Sequence, residues 1–217
     1  MDWMKSIKRI WKDKNNKMRN EKVRDMAYYA VFVAIIAIMT FIPSLGYITL
    51  GGISITILHV IVLLSAFTMG KKGGLVAGIT MGVLCMLKAW IMPGSIYDFP
   101  FRNPLCAVLP RAIFGFVSGL VADIIYAKAK NKIVSTSLIV AASVLLTAFH
   151  SVITVPLIYV CATWVPELKD WVASNELLVF FGATFVGNSI FEMIVAGVAT
   201  APIVLALRPI YLRGRKK

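Results

Sequence analysis

Six of the polar side chains inside apolar stretches of this chain could meet a solute: His59, Lys88, Arg111, His150, Asn188 and Glu192. A charged side chain at the centre of a lipid-embedded helix costs at least about 2.5–3.5 kcal/mol, so an ionisable group in such a place is a lead to function. Together the six supply two cations, two imidazoles, an amide and a carboxylate. That set suits a small anionic or zwitterionic solute. A carboxylate would pair with Lys88 or Arg111. Hydroxyl and amide groups would be met by Asn188, His59, His150 or Glu192. Plainer roles stay open for each. Lys88 can snorkel to the interface, Arg111 can pair with Glu192, the histidines can be packing residues, and Asn188 can bond a neighbouring backbone. Trp90, Arg102 and Asn103 complete the candidate solute contacts.

These residues are carried by six apolar runs, at roughly 26–44, 53–69, 73–92, 104–128, 133–162 and 176–207. A helix crosses a bilayer core of about 30 Å with around 20 residues. Most runs reach that length; the second is at the short limit. Basic residues alternate between the gaps. Nineteen of the 23 Lys and Arg fall on one side: nine in the arm up to Arg24, two at Lys71 and Lys72, three at Lys128, Lys130 and Lys132, and five from Arg208 onward. Positive residues mark the cytoplasmic side. The expectation is an all-α integral membrane protein of six transmembrane helices with both termini cytoplasmic. It divides into a basic, interfacial amphipathic arm over 1–25, a membrane domain over 26–207 and a basic cytoplasmic tail over 208–217. In the arm, Trp3, Met4, Ile7, Ile10 and Trp11 share a helical face between basic residues, the pattern of a helix in the inner headgroup region. The arm lacks the short apolar core and cleavage site of a signal peptide.

Followed inward from the outer ends of the runs, Lys88 lies about one turn deep, His59 and Arg111 about two, His150 and Asn188 about three, and Glu192 one turn below Asn188. The group therefore describes a pocket in the outer half. Asp123 falls near the cytoplasmic end and is expected to pair with an inner-surface lysine.

Composition supports a membrane protein: 59% of residues are hydrophobic, 15% are charged, and mean hydropathy is +0.82. The net charge of +13 is explained by anionic lipid beside the membrane segments rather than by nucleic acid. Cys85, Cys106 and Cys161 form no CxxC pair and read as small hydrophobes, neither disulfide-bonded nor metal ligands. No phosphate-binding GxxxxGK[ST], HExxH or GxSxG is present. No catalytic residue, metal site or cofactor is therefore expected, and no energy source is visible in the chain.

Small residues decide where lipid-embedded helices approach. Gly74, Gly78 and Gly82 recur every fourth residue in the third run, and Gly115 and Gly119 in the fourth, which predicts packing within the bundle. Ala27, Ala30, Ala34 and Ala37 form a flat stripe on the first run. It faces either a partner protein or a neighbouring helix.

The stretch 50-LGGISITILHVIVLLSAFTMGKKGGLVAGITMG-82 resembles the second and third helices of the S-components of energy-coupling factor (ECF) vitamin transporters, where T-I-L-H-I-P-V runs into a G-P-K-x-G turn. The stretch 99-FPFRNPLCAVLPRAIFGFVSGL-120 is similar to their F-x-N-P-L-x-x-x-L-P-R-x-x-x-G phrase. The resemblance covers roughly residues 25–207. The chain departs from it with Val60-Ile61 in place of Ile-Pro and Lys71-Lys72 in place of Pro-Lys. It implies a substrate-capturing subunit in a prokaryotic-type cell membrane, driven by a membrane-embedded T-component and two cytoplasmic ATPases. It also implies that the alanine stripe docks the T-component. The phrasing is most like the pantothenate-specific subgroup, and pantothenate, with one carboxylate, two hydroxyls and an amide, matches the polar set. Riboflavin would want stacking aromatics; Trp90, Phe101 and Trp164 keep it as the alternative. A self-sufficient carrier is the alternative of another class, although no internal repeat relates residues 26–128 to 129–207.

Overall fold

The computed structural model describes residues 2–42, 45–50, 53–94, 96–129, 131–174 and 176–216. Nine helices carry the fold among these residues: α1 (Asp2–Phe41), α2 (Leu58–Met69), α3 (Lys71–Ile91), α4 (Pro104–Ala107), α5 (Leu109–Lys128), α6 (Lys132–Ala162), α7 (Lys169–Ser174), α8 (Leu177–Thr184) and α9 (Ile190–Lys216). Five are long and apolar enough to cross a membrane, over Met18–Phe41, Lys71–Ile91, Pro104–Lys128, Lys132–Ala162 and Val186–Arg213. The end marked by Ile91, Pro104 and Ala162 is termed outer, and the end marked by Lys71, Lys128 and Lys132 inner.

The sixth apolar helix, α2, is shorter, at 12 residues. The expectation of helix from residue 53 is corrected here. Tyr47–Leu50 (β1) and Ile53–Thr56 (β2) form an antiparallel hairpin, with Tyr47 opposite Thr56 and Leu50 opposite Ile53. The bundle is thus not purely α. The local cause is legible: alternating β-branched residues flank Gly51-Gly52, a hairpin signal, although those two glycines lie outside the described residues. The hairpin leaves α2 only about 18 Å long. It is apolar on every side and almost wholly buried, as such a helix must be. It forms the axis of the bundle, touching α1, α3, α5, α6 and α9.

The predicted glycine seam exists. Gly74 meets the Gly115 backbone, Gly78 the carbonyl of Arg111, and Gly82 the backbone of Ala107 and Val108. A Cβ at Gly74 would overlap the Gly115 carbonyl. At Gly70, between α2 and α3, φ is +74°, a conformation glycine adopts without strain. Asp123 does not stand in an ion pair among the described residues. Its carboxylate lies over Gly70 instead, with Oδ1 2.5 Å from where a Cβ would be.

Two runs differ in extent from their predicted bounds. The arm and the first span form one helix of 40 residues, about 60 Å long. The sixth run is interrupted by a π-turn at Phe185–Ser189 and then continues as α9 into the basic tail. On α1, Phe32, Ile36 and Thr40 face the core and are buried. Ala27, Ala30 and Ala34 are exposed on the other side, and Ala37 is half-buried.

Candidate functional site

Arg111 is the best-defined member of the predicted set. It follows Pro110 in the first turn of α5 and is 6% exposed. Its Nη1 donates to the carbonyls of Cys106 (3.0 Å) and Ala107 (2.8 Å), both on α4. Its guanidinium carbon lies 5.1 Å from the centre of the Phe101 ring. The Nε is buried and has no hydrogen-bond partner among the described residues. A buried donor without a partner costs about 1–3 kcal/mol, so the fold holds a cation in place with part of its donor capacity unspent.

His150, from α6, is buried with its ring 4.8 Å from Phe114 of α5. It lies within the electrostatic reach of both Arg111 and His59, so three helices bring these groups to one place. Its Nε2 has no hydrogen-bond partner among the described residues. His59, near the start of α2, uses Nε2 to donate to the Glu192 carbonyl at 3.3 Å. In the neutral ring that bond leaves Nδ1 as an acceptor, and Nδ1 has no partner among the described residues. Glu192 is buried. Its Oε1 accepts from the backbone N–H of Thr56 at 2.9 Å, which ties the end of the hairpin to α9. No Arg111–Glu192 ion pair occurs among the described residues, whereas Arg24 and Asp25 form one. Asn188 is half-buried in the π-turn just ahead of Glu192. Such turns inside α-helices are frequent at functional sites.

The remaining predicted contacts lie further out. Arg102 stacks over Phe99, 3.7 Å from guanidinium carbon to ring centre, and over Trp90 at 5.1 Å. Its Nε donates to the Ala89 carbonyl at 3.0 Å, and Trp90 Nε1 donates back to the Arg102 carbonyl at 3.3 Å. Trp90 is exposed and belongs to this clamp, not to the buried group. Asn103 caps α4, its Oδ1 accepting from Leu105 N at 2.9 Å. Lys88 is half-buried in the last turn of α3. Arg102, Asn103, Phe99, Cys161, Trp164 and Glu167 line a hollow of ≈ 470 Å³ at the outer end. The site therefore has two tiers: a buried group of His59, Arg111, His150 and Glu192 with Asn188 beside it, and a wetter group around Arg102.

Sequence reasoning missed Thr154. It lies one turn from His150 on α6, is buried, and its Oγ1 has no partner among the described residues. The signal was its i+4 spacing from His150. Phe101 was weighed only as a stacking aromatic, and its seat on Arg111 was missed. Cys106 and Cys161, far apart in sequence, lie close enough to interact electrostatically, and both thiols are free.

The family profile described as "ECF transporter, substrate-specific component" matches residues 24–204, and the chain belongs to that family. It is also similar to the pantothenate transporter PanT of Leuconostoc mesenteroides subsp. mesenteroides, with 36% identity over 107 residues, 48% of this chain and 52% of that protein. The match thus spans about half the length of that curated relative.

Proposed function

We propose that this member of the ECF substrate-specific components captures pantothenate, or a similar small carboxylate, from outside the cell. Six membrane helices, α2 included, would set both termini in the cytoplasm, as the alternation of basic residues suggests. The observation that carries the substrate class is the unspent Nε of buried Arg111, beside two histidines that each keep a ring nitrogen without a partner among the described residues. A carboxylate would complete the Arg111 donor set. Solute hydroxyl or amide N–H groups would reach His59 Nδ1, and Asn188 would orient the chain of the solute. Similarity to PanT points the same way. Riboflavin is less well served, because Trp90 and Phe101 already lie against guanidinium groups. Lys88 and Arg102 would add positive potential along the approach.

The exposed face of Ala27, Ala30 and Ala34 would dock the membrane-embedded partner, since small residues let another backbone approach closely. ATP hydrolysis would be supplied by two cytoplasmic subunits. The test is calorimetry with pantothenate on the purified chain, followed by uptake in proteoliposomes with and without the partner subunits. Tight binding by the chain alone and accumulation only with partners and ATP are expected. ATP-independent accumulation by the chain alone would overturn the reading in favour of a self-sufficient carrier.

A further inference from the structure

Tyr211 stands near the inner end of α9 and is 3% exposed. Its hydroxyl donates to Asp25 Oδ1 of α1 at 3.0 Å. Its ring meets Tyr28 edge-on, with centres 5.0 Å apart and an interplanar angle of 84°. The guanidinium carbon of Arg24 lies 5.5 Å from the Tyr211 ring centre, and Arg24 Nη2 is 3.5 Å from the same Asp25 oxygen. One buried phenol is thus gripped by three side chains of a single turn of α1.

Its position in α9 gives this grip leverage. Pro209, two residues earlier, lacks the N–H that would hold the last turns to the helix above. With that bond missing, side chains help to place the end: Arg208 over the Tyr126 ring of α5, 3.0 Å to its centre, and Tyr211 on α1. At its other end α9 carries Glu192, roughly 28 Å away along the helix. One helix therefore touches both the buried solute group and the helix whose outer face is proposed to dock the partner.

We propose that Tyr211 is a positioning residue for transport, joining α9 to the docking helix so that solute and partner each change the affinity for the other. The proposal rests on the docking role assigned above to the alanine face of α1. Coupling of this kind is reciprocal: whatever factor the solute imposes on partner affinity, the partner imposes on solute affinity. It also requires an element that both sites bias, and α9 is that element. Tyr211→Phe removes the bond to Asp25 while keeping the ring against Tyr28 and Arg24, and Asp25→Ala removes the same bond from the other side.

The experiment measures binding of the whole chain, in nanodiscs, to the assembled partner complex, with and without saturating pantothenate. In the natural chain pantothenate is expected to change partner affinity at least fivefold. In Tyr211→Phe and in Asp25→Ala that factor falls to below twofold, while the free chain binds pantothenate within twofold of normal and melts at an unchanged temperature. The double variant adds nothing further. A factor of one in the natural chain, or a retained factor in both variants, overturns the proposal. Lost solute binding or a lowered melting temperature in both variants also overturns it, making the cluster a structural brace. Ala30→Trp separates the premise from the inference. It should abolish partner binding with or without solute. Normal binding by Ala30→Trp removes the docking reading and the coupling with it, whereas abolished binding together with a retained factor in Tyr211→Phe removes the coupling alone.

Discussion

The glycine seam and the polar group share helix α5, and they meet opposite demands. Along the seam, Gly115 and Gly119 admit the α3 backbone so closely that no side chain fits between. Four residues earlier, Arg111 keeps a buried donor without a partner among the described residues. The two regions share backbone: Gly78 packs against the Arg111 carbonyl, and Gly82 meets the Ala107 carbonyl that Arg111 bonds. A site that tolerates unpaired buried polarity needs its backbone held by something that does not yield. In lipid, where helices gain little from hydrophobicity against each other, close backbone contact is the available means.

Breaking the seam should have the largest effect. Gly74→Val would drive a branched side chain into the Gly115 carbonyl, which is backbone and cannot rotate away. Overpacking typically costs 1–3 kcal/mol and sometimes more. Separating two helices along a whole seam is expected to cost at least about 3 kcal/mol. Yield of monodisperse protein and the melting temperature in detergent measure this. An unchanged melt would show that α3 and α5 do not rely on contact at this level.

Breaking the polar group should leave the fold and remove the solute. Arg111→Ala takes away a buried cation that a carboxylate would use. The expected loss is about 2–5 kcal/mol, or roughly 30-fold to several-thousand-fold in Kd. The melting temperature should fall modestly, because the variant loses the bonds to the Cys106 and Ala107 carbonyls while also removing an unpaired donor. Lys88→Ala, at the half-buried end of α3, is expected to lose less than tenfold. Calorimetry with pantothenate decides between them. Full affinity in both variants would remove carboxylate anchoring and favour a neutral ligand.

Much of this difference was legible in the sequence. Four-residue glycine spacing announced the seam, and isolated charges in apolar runs announced the polar group. The hairpin was missed because residues 53–56 are apolar enough to extend a helical run, and the short run that followed gave no period to oppose it. The clamp of the outer tier was not legible for a different reason. Trp90 and Arg102 lie 12 residues apart, and only the fold of the loop between α3 and α4 turns them into a clamp. The same limit hid the meeting of Cys106 with Cys161, and of Asp25 with Tyr211 across 186 positions. Spacing reports neighbours on one helix and is silent about contacts between helices.

The smallest effect is expected in the outer tier, and it sharpens the contrast between buried and wet polarity. Arg102 is half-buried, its Nε is committed to the Ala89 carbonyl, and its face is committed to Phe99 and Trp90. What remains for a passing anion is the positive potential at the rim of the hollow, where water and salt screen it. Exposed charge pairs contribute about 1 kcal/mol or less, so Arg102→Ala should weaken pantothenate binding by less than roughly fivefold. The loss should fall on the association rate, since rim charges steer encounter while buried contacts govern escape. The association rate of the natural chain should therefore drop as salt rises, and that of Arg102→Ala should drop less steeply, with dissociation alike in both. Stopped-flow binding at several salt concentrations measures each rate. A dissociation rate raised tenfold or more by Arg102→Ala would place the guanidinium in contact with the bound solute and merge the two tiers into one pocket.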